Sequence, residues 1–473
     1  MGTSFYAGFS RVDITPPFGG VPLAGYGSTQ FRLASNVMDP VYLNTVAVGS
    51  NGKAEGLLMT ADLINITDPM LVTLRAAVAE ATGLDPERIY IGGTHTHSAP
   101  DIRSTLDCIR VYNNEFLPKC YAESALRAIT DLKPAKIFYG KTEVGHEGAR
   151  FNFNRYYYMV PREKLDSYTE EDYIPVGDNY GLKYSSDPEH YAYVAHEEEA
   201  DHEMMVIKFA RENADDILLL NFTAHATITG GIKKPNMSSD YPGAFRARVE
   251  ELVPGTKCTY LNGCAGNTNP STRMAEEGIP GLTIGDSRSH YAYGAVLAAY
   301  AKKILDTGLT ESETDVLAFA RRTPTADRDH SNDYRVEEAQ KIAKIYNVVG
   351  YTPEVRQMVL DAGFNSPYHC TAVIRKAERP ATGTFEINAI RFGDVAMTTG
   401  PFELFSGTGK HIKAASPFKM TLVKAYSCGA NSYLPSINSY PNSYEANQTA
   451  FVRGTAEALE PIYQEMLEEL YKL

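Results

Sequence analysis

The sequence lacks any run of about 18 apolar residues, which is the length that a transmembrane helix requires. Its opening, MGTSFYAGFSRVDITPP, lacks the basic and apolar regions of a secretory signal. Positive charge is also scarce, because 45 Lys and Arg stand against 58 Asp and Glu, giving a formal net charge of −13. Nucleic acid and anionic membranes attract clustered Lys and Arg, so we expect neither as a partner.

Cysteine is scarce as well. The six cysteines are dispersed along 473 residues and form no close CxxC pair. This usage is typical of reduced thiols in a cytoplasmic protein, and it argues against a disulfide framework. Hydrophobic residues make up 43% of the chain and charged residues 22%, which is ordinary for a soluble globular enzyme. We therefore expect a soluble cytoplasmic protein.

Apolar runs that suit buried strands alternate with segments of helical spacing, and this pattern predicts an α/β fold. Predicted strands cover 56–63, 88–92, 216–225 and 258–263, and two more lie within 385–403. One predicted helix lies between the strands 56–63 and 88–92, and another between 216–225 and 258–263. Further predicted helices lie at 289–308, at 335–350 and at the end of the chain. Tyrosines, acids and prolines crowd 155–196, which indicates a long insertion over a surface.

The segment GGTHTHSAPD (92–101) places His95 and His97 one residue apart, directly after a predicted strand. In an extended backbone the side chains of residues i and i+2 point the same way, so both imidazoles would face one cleft. Imidazole is the commonest neutral metal ligand, and an HxH step often begins a zinc site. The alternative is a polar loop in which both histidines bond to backbone.

Two further side chains stand where a predicted strand ends. His225 follows the apolar run LLLNFTA and precedes a double glycine, and the alternative interpretation is a core histidine with satisfied hydrogen bonds. Glu403 follows a strand and a Gly-Pro turn in an apolar neighbourhood, where a lone carboxylate is costly without a partner. A cluster of Tyr and Asn at 431–449 is either part of the same cleft or an ordinary polar loop.

Taken together, these segments resemble the catalytic domain of the neutral (non-lysosomal) ceramidase family. The resemblance runs through nearly the whole chain in order, and its motifs are VDITPPFGGVPLAGYG, MDPVYLNTVAV, TADL, GGTHTHSAPD, NFNR, NFTAHAT, NGCAGNTNP, GPFELF, SYLPS and SYEANQT. It implies one Zn²⁺ per chain, held by His95, His225, Glu403 and Tyr433. It also implies that His97, Arg155 and Tyr444 line the same site.

The implied site has a consistent chemistry. Two neutral nitrogens and a carboxylate would hold zinc and leave a position open for water, as in catalytic zinc sites. Zinc lowers the pKa of bound water, so hydroxide is accessible at neutral pH. His97 could then move the proton to the leaving amine, while Arg155 and Tyr444 stabilise the developing oxyanion. The resemblance thus predicts a zinc-dependent hydrolase of amide (N-acyl) or ester bonds, acting on a small or lipid-like acylated substrate by metal-activated water.

The sequence departs from the ceramidase pattern in two respects that shape the expected function. Asn269 occupies the position of the active-site serine, which excludes a serine nucleophile there but leaves activated water possible. The given sequence also ends in a predicted helix, so we expect no C-terminal immunoglobulin-like domain. Ceramide is therefore a weak expectation for the substrate.

The expected ligands extend from residue 95 to residue 433, so one site collects loops from most of the chain. This predicts one large mixed α/β catalytic domain over 1–473, with a metal site at strand ends and a lid or insertion at about 155–205. Two alternatives stay open at this point. One is another metallo-amidohydrolase, with a barrel fold, and the other is a non-catalytic binding protein that retains the ceramidase fold.

Overall fold

The computed structural model describes residues 5–26, 32–146, 149–176, 187, 189–196, 200–231, 234–271, 289–439 and 443–473. No helix in these ranges combines the length and the apolar character needed to span a membrane. The expected insertion at 155–205 is only partly within the described residues.

The largest sheet is mixed and has the strand order β16-β14-β13-β6-β1-β3-β4-β5, with β18 paired to β6. Its strands β4 and β5 pair in parallel, as do β14 and β16, whereas the other neighbours are antiparallel. These strands are β1 (Phe5–Asp13), β3 (Tyr42–Ser50), β4 (Lys53–Ala61), β5 (Ile89–Gly93), β6 (Lys133–Glu143), β13 (Glu203–Arg211), β14 (Asp216–Phe222), β16 (Thr256–Asn262) and β18 (Thr310–Glu311).

A second sheet has the order β19-β22-β23-β25, in which only β23 and β25 pair in parallel. Its strands are β19 (Leu317–Arg322), β22 (Ile387–Phe392), β23 (Val395–Thr399) and β25 (Met420–Lys424). A three-stranded sheet lies in the expected insertion and consists of β10 (Tyr157–Pro161), β11 (Ile174–Val176) and β12 (Tyr191–His196).

Short strand pairs complete the sheet structure. Two of them matter for the site, because they fix loops that carry candidate residues: β9 (Asn152–Asn154) with β17 (Thr268–Pro270), and β24 (Glu403–Leu404) with β26 (Tyr433–Leu434). The others are β2 (Asn36–Val37) with β15 (Asn236–Met237), β7 (Gly145–His146) with β8 (Ala149–Arg150), and β20 (Thr325–Asp327) with β21 (Thr382–Thr384).

Helices cover the sheets and form the remaining core. They are α1 (Asp68–Thr82), α2 (Asp107–Val111), α3 (Leu117–Thr130), α4 (Asp240–Leu252), α5 (His290–Thr307), α6 (Val336–Val349), α7 (Pro353–Asp361), α8 (Pro367–Ala377), α9 (Ser406–Ala415), α10 (Tyr444–Gln448) and α11 (Thr455–Tyr471). A π-helical turn joins α2 to α3. Helices α1 and α3 pack on the main sheet, α4 and α5 pack over β13, β14 and β16, and α9 and α11 pack on the second sheet.

The predicted α/β class is confirmed, and most predicted elements lie within a few residues of the observed ones. The strand expected at 216–225 is observed as β14, and it ends before His225. The strand expected at 88–92 is β5, and it ends just before the histidine pair. Each of the two parallel strand pairs in the main sheet therefore includes a strand that is followed by a candidate histidine: β5 by His95, and β14 by His225. The carboxyl ends of parallel strands are the usual location of sites in such folds.

Candidate metal centre

The histidine pair after β5 does not have the extended backbone that its spacing suggested. His95 has φ of 66°, a left-handed conformation that is uncommon for a residue with a side chain. Its N–H donates to the carbonyl of Leu63, and the N–H of His97 donates to the carbonyl of Ala226, both at 3.0 Å. The turn nevertheless brings the Nε2 atoms of His95 and His97 to 3.2 Å from each other. Such backbone strain is typical of functional loops.

His225 reaches the same point from the loop after β14. Its backbone N–H donates to the carbonyl of Thr268 at 2.9 Å, and its Nε2 lies 3.2 Å from the Nε2 of His95. His95, His97 and His225 are all buried and form a group whose potential ligand atoms lie within 4.8 Å of one another. The structure therefore brings together three histidines that could bind a metal ion.

Hydrogen bonds to backbone fix the tautomers of two of these rings. The Nδ1 of His95 lies 2.7 Å from the carbonyl of Ile64, and the Nδ1 of His225 lies 2.6 Å from the carbonyl of Ala265. A carbonyl oxygen can only accept a hydrogen bond, so each Nδ1 must carry the hydrogen and each Nε2 presents its lone pair. Burial lowers the pKa of His225 to about 4, so this ring is neutral at pH 7. Carbonyl-anchored imidazoles of this kind are typical of metal ligands.

Glu403 adds a carboxylate to the two anchored histidines. Its Oε2 lies 3.4 Å from the Nε2 of His95 and 3.5 Å from the Nε2 of His225. Burial alone would raise the pKa of Glu403, but the adjacent His95 and His225 hold it well below the ordinary value. Oε2 is buried and makes no hydrogen bond within the described residues. Two nitrogen lone pairs and a carboxylate oxygen at one point are a donor set that fits Zn²⁺.

His97 differs from the other two histidines in its surroundings. Its Nδ1 is buried and has no hydrogen-bond partner among the described residues. The ring of Tyr26 contacts it edge-on at 5.2 Å between centroids. Burial and the adjacent His95 lower the pKa of His97 well below its ordinary value. A neutral, unanchored imidazole beside a metal site is better suited to carry a proton than to hold the ion in place.

The two candidate tyrosines lie beside this cluster. Tyr433 pairs with Glu403 across the β24–β26 ladder, and its ring lies nearly parallel to that of His225, with centroids 6.5 Å apart. Burial and the nearby Glu403 raise the pKa of the Tyr433 hydroxyl well above its ordinary value. Tyr444 begins α10 and packs edge-on against Tyr433 at 5.8 Å.

Arg155 is held by a buried ion pair that the sequence did not indicate. Its guanidinium bonds to the carboxylate of Glu445 and to the carbonyl of Gly266. Glu445 is fully buried and also accepts from the hydroxyl of Tyr156. The charge of Arg155 contributes to the electrostatic environment of His225, which places this guanidinium at the edge of the cluster. Arg155 is therefore fixed in position by the residue after Tyr444.

Asn269 lies on β17, directly opposite Phe153 of β9. Its side chain is 4% exposed, and its Oδ1 has no hydrogen-bond partner within the part of the chain that the structure describes. A buried amide oxygen without a partner is costly. The Oδ1 of Asn269 is therefore available to a ligand, whereas the Oδ1 of the neighbouring Asn267 accepts from the N–H of Ser406.

Tyr426 and Asp62 also shape the centre, and neither was a candidate site residue on sequence grounds. Tyr426 stacks on His95 with centroids 3.8 Å apart. Asp62 accepts from Thr94 at 3.2 Å and forms a buried bidentate ion pair with Arg246 at 2.9 and 2.7 Å. The Asp in the motif TADL could have been suspected, since it is an acid at the end of an otherwise apolar run.

Two solved structures that resemble this one are ceramidases. The neutral ceramidase from Pseudomonas aeruginosa matches with a TM-score of 0.69 and 17% identity, over 100% of this chain and 75% of that chain. This chain has a ceramidase-like fold. A ceramidase solved in complex with C2 matches with a TM-score of 0.67 and 17% identity, over 99% of this chain and 76% of that chain. No protein-family model and no curated protein matches the sequence. The expected family resemblance is thus confirmed at the level of the fold.

Proposed function

We propose that this protein is a zinc-dependent hydrolase that cleaves an amide (N-acyl) or ester bond of a small or lipid-like acylated substrate. The observation that carries the proposal is the asymmetry among three clustered histidines. His95 and His225 are anchored through Nδ1 to backbone carbonyls, whereas His97 is not. Anchored rings suit metal ligands, and a free neutral ring beside them suits a general base.

The ligands in this proposal are His95, His225 and Glu403, with Tyr433 as the fourth, for one Zn²⁺ per chain. Imidazole and carboxylate together favour zinc over calcium or magnesium, which prefer oxygen ligands alone. When bound, zinc would act as a Lewis acid toward water and toward the scissile carbonyl.

Proton transfer falls to His97 in this proposal. Its lowered pKa keeps the ring neutral at pH 7, so it can accept a proton from the attacking water. The same imidazole then donates that proton to the leaving amine or alcohol. Arg155 and Tyr444 would donate hydrogen bonds to the oxyanion, and the buried pair with Glu445 keeps the guanidinium oriented.

The side chains near the centre argue against a covalent acyl-enzyme. Asn269 is not a nucleophile, but its unpartnered Oδ1 can position the substrate by accepting a hydrogen bond from it. Burial raises the pKa of the Cys264 thiol well above its ordinary value, which keeps it in the unreactive protonated form. Direct attack by water is therefore the mechanism that these residues support.

The two alternative functions are less well supported. Barrel amidohydrolases require a closed sheet, whereas the main sheet here is open, with β16 and β5 at its two ends. A binding protein without catalysis would not need a neutral imidazole beside the ligand set. We keep two untested expectations within the proposal: a single domain over 1–473 with a lid at about 155–205, and a cytoplasmic location, expected from six cysteines that are all unpaired.

Metal analysis combined with a substrate screen tests the proposed function. We expect about one zinc per chain in protein purified without chelator, and hydrolysis of N-acyl or ester substrates that stops when a chelator removes the metal. The His95→Ala variant should lose both zinc and activity, and the exposed variant Lys419→Ala serves as the control. A chain that neither contains nor takes up a transition metal would exclude the proposal.

A further inference from the structure

We infer that the substrate carries an anionic group, such as a carboxylate, sulfonate or phosphate, which Arg103 and Arg375 bind at the rim of the proposed active site. This inference rests on the proposed hydrolase function and specifies its substrate class. It depends on where the two guanidinium groups are fixed and on which charges surround them.

Arg103 lies two residues after the segment 92–101, which carries His95 and His97, and its side chain is fixed there. Asp101, which is 2% exposed, accepts from Nε at 2.8 Å and from Nη2 at 3.0 Å. The side chain of Arg103 is 47% exposed, so the guanidinium is anchored on one edge and open to solvent elsewhere. In the described part of the chain these are its only hydrogen bonds from the guanidinium, so Nη1 is left to bind a ligand.

Arg375 is fixed by the helix that carries Tyr444. Its Nη2 donates to the backbone carbonyl of Gln448 at 3.3 Å and lies 3.4 Å from Oε1 of the same residue. Gln448 ends α10 one helical turn after Tyr444, so the two side chains share a helix face. The hydroxyl of Ser432, next to Tyr433, donates to the same carbonyl at 3.1 Å. Arg375 is therefore tied to the backbone that positions both candidate tyrosines.

The charges around the two arginines are unbalanced. Arg103 interacts electrostatically with Glu403 and Tyr444, and Arg375 interacts with Tyr444 and with Arg103 itself. The surrounding protein, Arg379 and Arg103 together lower the pKa of Arg375. Among the residues that the structure describes, the guanidinium of Arg375 bonds to Gln448 and forms no ion pair with a carboxylate, although the whole chain has a net charge of −13.

Adjacent cations repel each other, and a protein rich in Asp and Glu has many ways to neutralise them. Arg103 and Arg375 instead stand near each other beside the candidate hydroxyl donor Tyr444, and only Arg103 has a carboxylate. Guanidinium groups bind carboxylates, sulfonates and phosphates through paired hydrogen bonds. An anionic substituent a short distance from the scissile bond would balance these charges and orient the acyl group.

The test compares matched substrates on the zinc-loaded full-length protein. One pair carries the charge on the leaving group, N-decanoylglycine against N-decanoylglycinamide. The other carries it on the acyl group, N-glutaryl-decylamine against its methyl ester. We expect kcat/KM to be at least tenfold higher for the anionic member of one pair, and the pair that shows the preference identifies which side of the bond faces the arginines.

Two variants separate specific binding from a general charge effect. Arg375→Gln should lower kcat/KM for the preferred anionic substrate about tenfold and leave its neutral partner unchanged. Arg248→Gln removes the same charge from an exposed arginine of α4, whose ion pair among the described residues is with Glu251, and it should change kcat/KM for neither substrate. Arg103→Lys keeps the charge over Asp101 and should reduce the preference without loss of folding.

Equal hydrolysis of both members of both pairs would overturn the inference and leave the proposed function intact. If no substrate is hydrolysed although zinc is bound, the proposed function fails, and calorimetry then decides the inference. In that case, an anion site would still be supported if an anionic member binds more tightly than its neutral partner and if Arg375→Gln removes this difference. Equal binding of charged and neutral members would overturn it.

Discussion

The α-carbon of Gly25 packs directly against the imidazole of His97. A methyl group at this position would lie 2.7 Å from the Cβ of His97 and closer still to Nδ1. Gly25 also has φ of 105°, which side chains other than glycine rarely allow. Only glycine therefore permits His97 to occupy its place between Tyr26 and His95.

Gly25→Ala should displace His97 and lower kcat by about 10²-fold, with zinc content retained, if His97 is the general base. Gly20→Ala is a matched control, because Gly20 also has a positive φ, 71°, but has nothing within 4 Å of the added methyl group. Steady-state kinetics and metal analysis of both variants provide the measurement. Equal activity losses in the two variants would indicate backbone strain alone.

His97→Ala and His95→Ala should separate proton transfer from metal binding. We expect His97→Ala to retain zinc and lose about 10²–10⁴-fold in kcat, the range for a general acid–base. His95→Ala should lose the metal, because its anchored Nε2 is a proposed ligand. If His97→Ala instead loses zinc as His95→Ala does, then His97 is a ligand and a different residue moves the proton.

Asn269→Ala should weaken catalysis without abolishing it, because it removes one positioning contact. A loss of about tenfold in kcat/KM corresponds to ~1.4 kcal/mol, the scale of one hydrogen bond. Hydrolysis in ¹⁸O-labelled water should place label in the released acid within a single turnover, with no adduct in the intact mass. A stable acyl adduct on Cys264, Thr268 or Ser98 would contradict the mechanism.

Lys424 should make the protein less stable at neutral pH than at alkaline pH. It is 4% exposed, its Nζ contacts the carbonyls of Gly93 and Ala425 at 3.4 and 3.3 Å, and burial lowers its pKa to about 7. The unfolded chain, with the ordinary value of 10.5, keeps a proton that the folded chain loses. The contribution of this group to the free energy of unfolding therefore rises between pH 7 and 10.5.

Lys424→Met should remove that pH dependence and stabilise the protein most below pH 7, by roughly 3–5 kcal/mol at most. Urea unfolding at pH 6 and pH 9 measures the effect. The control is Lys419→Met, because Lys419 is exposed and directly precedes β25, the strand that ends at Lys424. A stability gain of the same size at both pH values would show that the amine does not titrate between them.

The sequence predicted the elements that deliver the histidines, because apolar runs and helical spacing reflect burial directly. The strand before His95 and the strand before His225 both lie where expected. The resemblance to ceramidases then indicated Glu403 and Tyr433, and the structure pairs these two residues in one short ladder. Their roles as ligands stay predictions.

Contacts that depend on the tertiary fold could not be predicted in the same way. The left-handed backbone of His95 departs from the extended form that its spacing suggested, since the N–H groups of His95 and His97 donate to the carbonyls of Leu63 and Ala226 and fix the turn. The stacking of Tyr426 on His95 and the burial of Glu445 against Arg155 join residues hundreds of positions apart. Nothing in the local sequence distinguishes such residues from ordinary loop or helix residues.

The sequence separations within the centre also bear on when it forms during folding. His95 and His225 are 130 residues apart, and Arg155 and Glu445 are 290 apart. Closing a long loop costs entropy before its contacts form, and non-local pairs slow folding, so we expect these pairs to form late. His95 and His225 follow strands of the main sheet and Glu403 follows β23 of the second sheet, so we expect the centre to assemble after both sheets have formed. Loss of a bound metal would therefore report the first separation of the two sheets, before the helices themselves unfold.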